Sequence, residues 1–178
     1  ARRRLRARFP RLQSSNAPQV IQLLDRPQAG HTPCDGSHVD LTQQVRSYWE
    51  GTPCGTAKEI VGEAHQLSRE WFERVESYRY ALEPFIHSVA QFTRHRGKRL
   101  LEVGVGAGTD HLQWARAGAE CHGVDLTDAA IETTRARLAL YGFASRLQRV
   151  NAEQIPYPDA SFDLVYSWGV IHHAESPE

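Results

Sequence analysis

Residues 99–110 read Arg-Leu-Leu-Glu-Val-Gly-Val-Gly-Ala-Gly-Thr-Asp, and this stretch decides the fold. Leu100, Leu101 and Val103 form an apolar run short enough for a strand buried on both faces. Gly104, Gly106 and Gly108 then let the backbone bend sharply and approach a ligand with no β-carbon in the way. Thr109 and Asp110 are placed to cap a following helix. Strand, glycine turn and helix start in succession make a ligand-binding turn at the carboxyl end of a strand.

Spacing separates two ligand classes. A dinucleotide turn reads G-x-G-x-x-G, which needs a third glycine where this chain has Thr109. Glu102, two residues ahead of the first glycine, would repel a pyrophosphate and attract a cationic amine. Ala119 to Val124 reads as a second strand ending at Asp125, about 20 residues past the turn, where an acidic side chain can accept hydrogen bonds from ribose hydroxyls. Helix capping is the alternative use of Asp125, although Thr127 and Asp128 can start the next helix without it. Ile131, Thr134, Leu138 and Tyr141 recur at helical spacing and Gly142 stops that helix. Leu147 to Val150 is a third strand, followed by Asn151, Ala152 and Glu153. Strands alternating with helices predict a parallel sheet with right-handed crossovers and a crevice at the strands' carboxyl ends.

The pattern Glu102-x-Gly104-x-Gly106-x-Gly108 resembles motif I of the class I S-adenosylmethionine-dependent methyltransferases. The segment Ile155 to His173 is similar to the quinone and sterol type of that family. It has a Pro-aromatic-Pro loop, a Phe-Asp pair, an apolar strand and a Gly-aliphatic-aliphatic-His-His ending. The resemblance implies an α/β, Rossmann-like class I methyltransferase sheet, incomplete at about four parallel strands with flanking helices, preceded by an N-terminal helical region. It implies S-adenosyl-L-methionine as cofactor, with Glu102, Gly104, Gly106 and Gly108 at its methionyl end. Asp125 would sit at the ribose and Ala152 and Glu153 near the adenine, with Leu126 and Trp168 completing the cofactor set; for Glu153 a solvated loop acid is the alternative. The implied reaction is methyl transfer to a small-molecule or lipid-like acceptor. His172 and His173 are candidate bases because imidazole titrates near neutrality, the alternative being that they merely begin a helix. A family sheet has seven strands, this sequence offers four, and it contains no methionine, so a fragment holding the cofactor half, 97–178, is expected. A non-catalytic cofactor-binding fragment and an NAD(P)-dependent oxidoreductase are the competing readings.

The rest of the chain is organised around that half. Arg2, Arg3, Arg4, Arg6, Arg8 and Arg11 form a basic arm, leaving 15 basic against 21 acidic residues in the remainder. Residues 1–40 are expected to be a disordered arm, with no nucleic-acid partner inferred from it. Residues 41–96 read as a helical lid or packing region. In it Leu67, Trp71, Val75, Tyr78 and Leu82 form one apolar stripe, and Pro84 restarts a helix through Phe85, Ile86, Val89 and Phe92. Tyr48 and Trp49 resemble lid aromatics of this methyltransferase type, and plain packing is the alternative. Tyr78, Arg79 and Tyr80 could line the same cleft, although packing is favoured. No apolar run is long enough for a membrane span. Cys34, Cys54 and Cys121 are widely spaced, which suggests reduced thiols in a cytoplasmic protein, and no metal-ligand spacing accompanies the nine histidines.

Overall fold

The structure is a computed structural model that describes residues 41–51 and 53–174; the basic arm and Cys34 lie outside the described residues. Among the described residues four α-helices come first: α1 Leu41–Gly51, α2 Lys58–Val61, α3 Arg69–Leu82 and α4 Ile86–Ala90. An alternating βα unit follows, with β1 Arg99–Val103, α5 Thr109–Arg116, β2 Glu120–Asp125, α6 Asp128–Leu140, β3 Arg146–Arg149 and β4 Leu164–Ser167. All pairings are parallel and the strand order is β3-β2-β1-β4. The order reverses beside β1, so β1 and β4 flank the switch point at whose carboxyl end α/β sheets bind ligands.

The central strand is buried on both faces, as its apolar run requires. Leu101 and Val103 pack with Val124 against Val150, Ile155, Tyr157, Phe162 and Val170. Leu100 faces the other way, into a cluster with Ile86, Phe92, Leu112, Trp114 and Leu138. Burying each such side chain contributes roughly 1.5–3 kcal/mol. Ser68 caps α3 by accepting from the Trp71 N–H, and Thr127 caps α6 by accepting from the Ala130 N–H; such caps are worth about 1 kcal/mol each.

Three expectations are corrected. The α3 stripe is rotated: Trp71, Phe72 and Val75 are buried, whereas Tyr78 and Leu82 are exposed, because the next turns present Glu76, Arg79 and Tyr80 to polar partners on the sheet side. The helix expected from Pro84 through Phe92 ends at Ala90, because Gln91 turns left-handed and Phe92 starts a separate 3₁₀ helix; Ile86 and Phe92 are buried, but Phe85 and Val89 face outward. Thr109 and Asp110 do not cap α5. Gly108 occupies that position with φ +71, and both side chains are turned to long-range partners instead.

Candidate functional site

The turn between β1 and α5 takes its shape from three left-handed glycines. Gly104, Gly106 and Gly108 have φ of +84°, +51° and +71°, a region L-residues avoid. A β-carbon on Gly104 would lie 2.1 Å from Val170 Cγ2, and one on Gly108 would lie 2.9 Å from Thr134 Oγ1. Gly106 is different, since nothing stands within 4 Å of where its side chain would point. The turn is therefore pressed against its neighbours at both ends and open in the middle.

Asp125, at the end of β2, reaches this turn directly. Its Oδ2 accepts from the Gly106 N–H at 3.1 Å, and its Oδ1 accepts from the Thr127 N–H and hydroxyl at 3.0 and 2.9 Å. A carboxylate offers about four lone-pair directions, so one remains for a further donor such as a hydroxyl. Leu126 follows it, half-buried. Glu50 of α1 accepts from the Asp128 and Ala129 N–H groups and Arg46 pairs with Asp128, which holds α1 against the start of α6. From the same helix the Trp49 ring meets His173 edge-on at 6.0 Å, so α1 reaches from the end of β2 to the turn after β4. Tyr48 is exposed and stacks edge-on against Trp49.

Glu102 is placed differently from the sequence expectation. Its carboxylate is buried on the α5 side of the sheet, with Oε2 2.9 Å from His111 Nδ1. His111 Nε2 lies 2.9 Å from Ser145 Oγ, which gives its own proton to the Cys121 carbonyl at 2.6 Å. The serine must accept from Nε2–H, so the Glu102 contact needs one shared proton, either on Nδ1 or on the carboxyl. Burial pushes the Glu102 pKa up to about 7, with His111 opposing that rise. While that shared proton is in place the pair is neutral overall, and the carboxylate is turned to His111.

Asp110 organises a second cluster. It is buried and accepts from Arg79 at 2.7 Å, Tyr80 at 3.0 Å and Tyr166 at 2.9 Å. Burial, reinforced by Asp110, drives the pKa of both tyrosines upward. Arg79 also bonds Glu83 at 2.6 Å, and the other Glu83 oxygen accepts from Trp168 Nε1 at 3.0 Å. Trp168, directly after β4, is half-buried, with its ring 5.7 Å from Phe85.

The remaining predicted positions are scattered. Ala152 and Glu153 lie on a 3₁₀ turn after β3, Ala152 half-buried against the Leu101 cluster and Glu153 exposed. Ile171–His173 forms another 3₁₀ turn rather than a helix start, with His173 exposed. A recess of about 300 Å³ among Gly51, Lys58, Gln66 and Trp71 lies in the helical region and is lined by none of the predicted cofactor residues. Among the described residues no His, Cys, Asp or Glu cluster could hold a metal, and no helix is long and apolar enough to cross a membrane. The sequence reading missed His111, Asp110's hub role and Arg137. The available signal was a His and an Arg at positions that helical spacing places beside buried apolar residues.

A methyltransferase-domain family matches residues 101–178. The chain is 36% identical over 76 residues to an uncharacterized methyltransferase, YcgJ of Bacillus subtilis, covering 42% of this chain and 30% of that protein. It is 24% identical over 121 residues to a ubiquinone biosynthesis O-methyltransferase of Nitrosococcus oceani, covering 66% of this chain and 51% of the relative. The crystal structure of magnesium protoporphyrin IX methyltransferase from Synechocystis PCC 6803 with bound SAM shares the fold, with TM-score 0.56 and 18% identity over 79% of this chain and 67% of that one. The match thus spans about a third to a half of these curated relatives. Strand order, glycine turn and family match agree: residues 101–178 are similar to a methyltransferase-domain family and have its Rossmann-like methyltransferase fold.

Proposed function

We propose that this chain binds S-adenosyl-L-methionine across the Gly104–Gly108 turn and Asp125, and serves methyl transfer to a small-molecule or lipid-like acceptor. The observation that carries the reading is the 3.1 Å bond between Asp125 and the Gly106 N–H, which joins the two cofactor-facing elements beside the open face of Gly106. When bound, the cofactor supplies a sulfonium methyl that an acceptor nucleophile can take by direct displacement. The protein's part is positioning: holding reactants in near-attack geometry is worth roughly 7–11 kcal/mol in favourable systems. Trp168, oriented by Glu83, forms the crevice wall after β4. Tyr48 and Trp49 on α1 act as a cover, supported by the reach of α1 across the sheet's carboxyl end. Leu126, Ala152 and Glu153 complete the nucleoside side. A reducing, cytoplasmic setting belongs to the same proposal and fits the free thiols of Cys54 and Cys121.

Titration calorimetry with S-adenosylmethionine on the wild type and on Asp125→Ala tests the reading. The substitution should weaken binding by about 10-fold or more, the worth of a charge-assisted hydrogen bond. Equal affinity would remove Asp125 from the site, and tighter binding of a nicotinamide dinucleotide than of S-adenosylmethionine would overturn the cofactor.

A further inference from the structure

We infer that Arg137 of α6 is a positioning residue for the glycine turn, fixing the backbone shape that the cofactor meets without touching the cofactor; the inference rests on the binding reading above. Arg137 has no exposed surface. One guanidinium nitrogen donates to the Ala107 carbonyl at 3.2 Å and to Thr109 Oγ1 at 2.7 Å. The other donates to the Phe72 carbonyl at 3.2 Å and to Glu76 at 2.6 Å. One helical turn earlier, Thr134 donates to the Gly106 carbonyl at 3.1 Å, and its side chain is what a β-carbon on Gly108 would strike. Two successive carbonyls of the turn are therefore held from α6.

The need for such a clamp follows from the glycines. A turn with three glycines has wide conformational freedom and, at those three positions, no side chains of its own to anchor it. Holding the carbonyls of Gly106 and Ala107 from behind commits their oxygens to α6 and leaves the opposite side of Gly106 open. An arginine fork fits this task because it gives several donors in one rigid plane, which a lysine lacks. The location also argues against a purely stabilising role. A buried ion pair is often no better for stability than a well-packed apolar pair, and fixing one conformation is what it supplies in some systems.

The test uses the full chain with three substitutions. Arg137→Met removes the fork, Thr134→Val removes only the hydroxyl, and Leu138→Ala on the same helix destabilises the core cluster around Leu100 and Leu112 without removing a hydrogen bond to the turn. Each is measured for S-adenosylmethionine affinity, at a temperature where it is folded, and for amide exchange at 104–109 without ligand. Arg137→Met should weaken binding by about 10-fold or more and speed exchange in the turn by a similar factor, with Thr134→Val following in the same direction and Leu138→Ala within about 2-fold of wild type in both. Wild-type exchange in Arg137→Met, or a Leu138→Ala variant that matches it in both readouts, would overturn the inference. Should Arg137→Met not fold, unchanged turn exchange in Thr134→Val overturns it. A wild type that binds no S-adenosylmethionine refutes the binding reading instead, and turn exchange still judges the clamp.

Discussion

A single methyl group added to the turn separates its packing role from its ligand-facing role. Gly104→Ala must fit a β-carbon 2.1, 2.8 and 2.9 Å from the Cγ2, Cγ1 and Cβ atoms of Val170, at φ +84. Gly106→Ala bears a comparable left-handed backbone, φ +51, but meets nothing within 4 Å. Left-handed backbone costs an L-residue about 1–2 kcal/mol, and overpacking adds about 1–3 kcal/mol. The sums are about 2–5 kcal/mol lost for Gly104→Ala and about 1–2 kcal/mol for Gly106→Ala. Urea unfolding monitored by circular dichroism gives both values, provided the slopes match wild type. Binding should rank the other way: the milder Gly106→Ala places its methyl on the open side and should lose most of the S-adenosylmethionine affinity. Adding Val170→Ala to Gly104→Ala removes the two clashing methyls but keeps the Val170 Cβ at 2.9 Å, and should return part of the overpacking cost of about 1–3 kcal/mol. Equal stability losses for the two alanines, or no rescue by Val170→Ala, would refute the geometry on which the site rests.

Glu102→Gln tests the shared proton beneath the turn. Burial holds the native pKa at about 7 against 4.5 ordinarily, so the group's stabilising contribution is complete below about pH 4.5 and is lost as pH rises through about 7. The difference in unfolding free energy, wild type minus variant, should therefore fall by about 3 kcal/mol across that window in urea titrations, and a flat difference would contradict it. Asp110→Ala leaves Arg79 and two tyrosines without their common acceptor and should cost about 3–5 kcal/mol, whereas Tyr166→Phe removes one donor and should cost about 1 kcal/mol, both by denaturant unfolding. Equal costs would mean that Asp110 is not the hub.

The parts of the fold legible in the sequence were those encoded locally. The run Leu100–Val103, the glycine spacing and the Thr127–Asp128 helix start each place an element within about a residue of its observed bounds. The glycines and Asp125 were legible for the same reason: a turn and the end of the neighbouring strand meet by topology once the sheet is parallel. The polar connections were not legible, because they join residues far apart in sequence. Asp110 meets Arg79 31 residues earlier and Tyr166 56 residues later, and Arg137 meets Phe72 across 65 residues. These bonds also explain the misread α3 stripe. Apolar spacing alone assigned Tyr78 and Leu82 inward, while the gain from pairing Glu76 with Arg137 and Arg79 with Asp110 turns the polar side of the helix toward the sheet.

The same connections redistribute charge around the crevice. The sequence argument for a cationic ligand rests on Glu102, yet Glu102 is buried and turned to His111, and the pair is neutral while it holds their shared proton. Glu76 pairs with both Arg137 and Arg116, so that group carries a net charge of about +1 when Glu76 is ionised. Arg79, by contrast, faces both Asp110 and Glu83, so that cluster carries a net charge of about −1 beside Trp168 when both carboxylates are ionised. Asp125 adds another negative charge on the far side of the turn, held by Gly106 and Thr127, neutral donors that do not cancel it. We propose that a cationic ligand is favoured over a pyrophosphate through Asp125 and the Asp110–Glu83 cluster in place of Glu102. Because Asp110 is buried and Asp125 partly so, salt should weaken that preference far less than it would a surface ion pair.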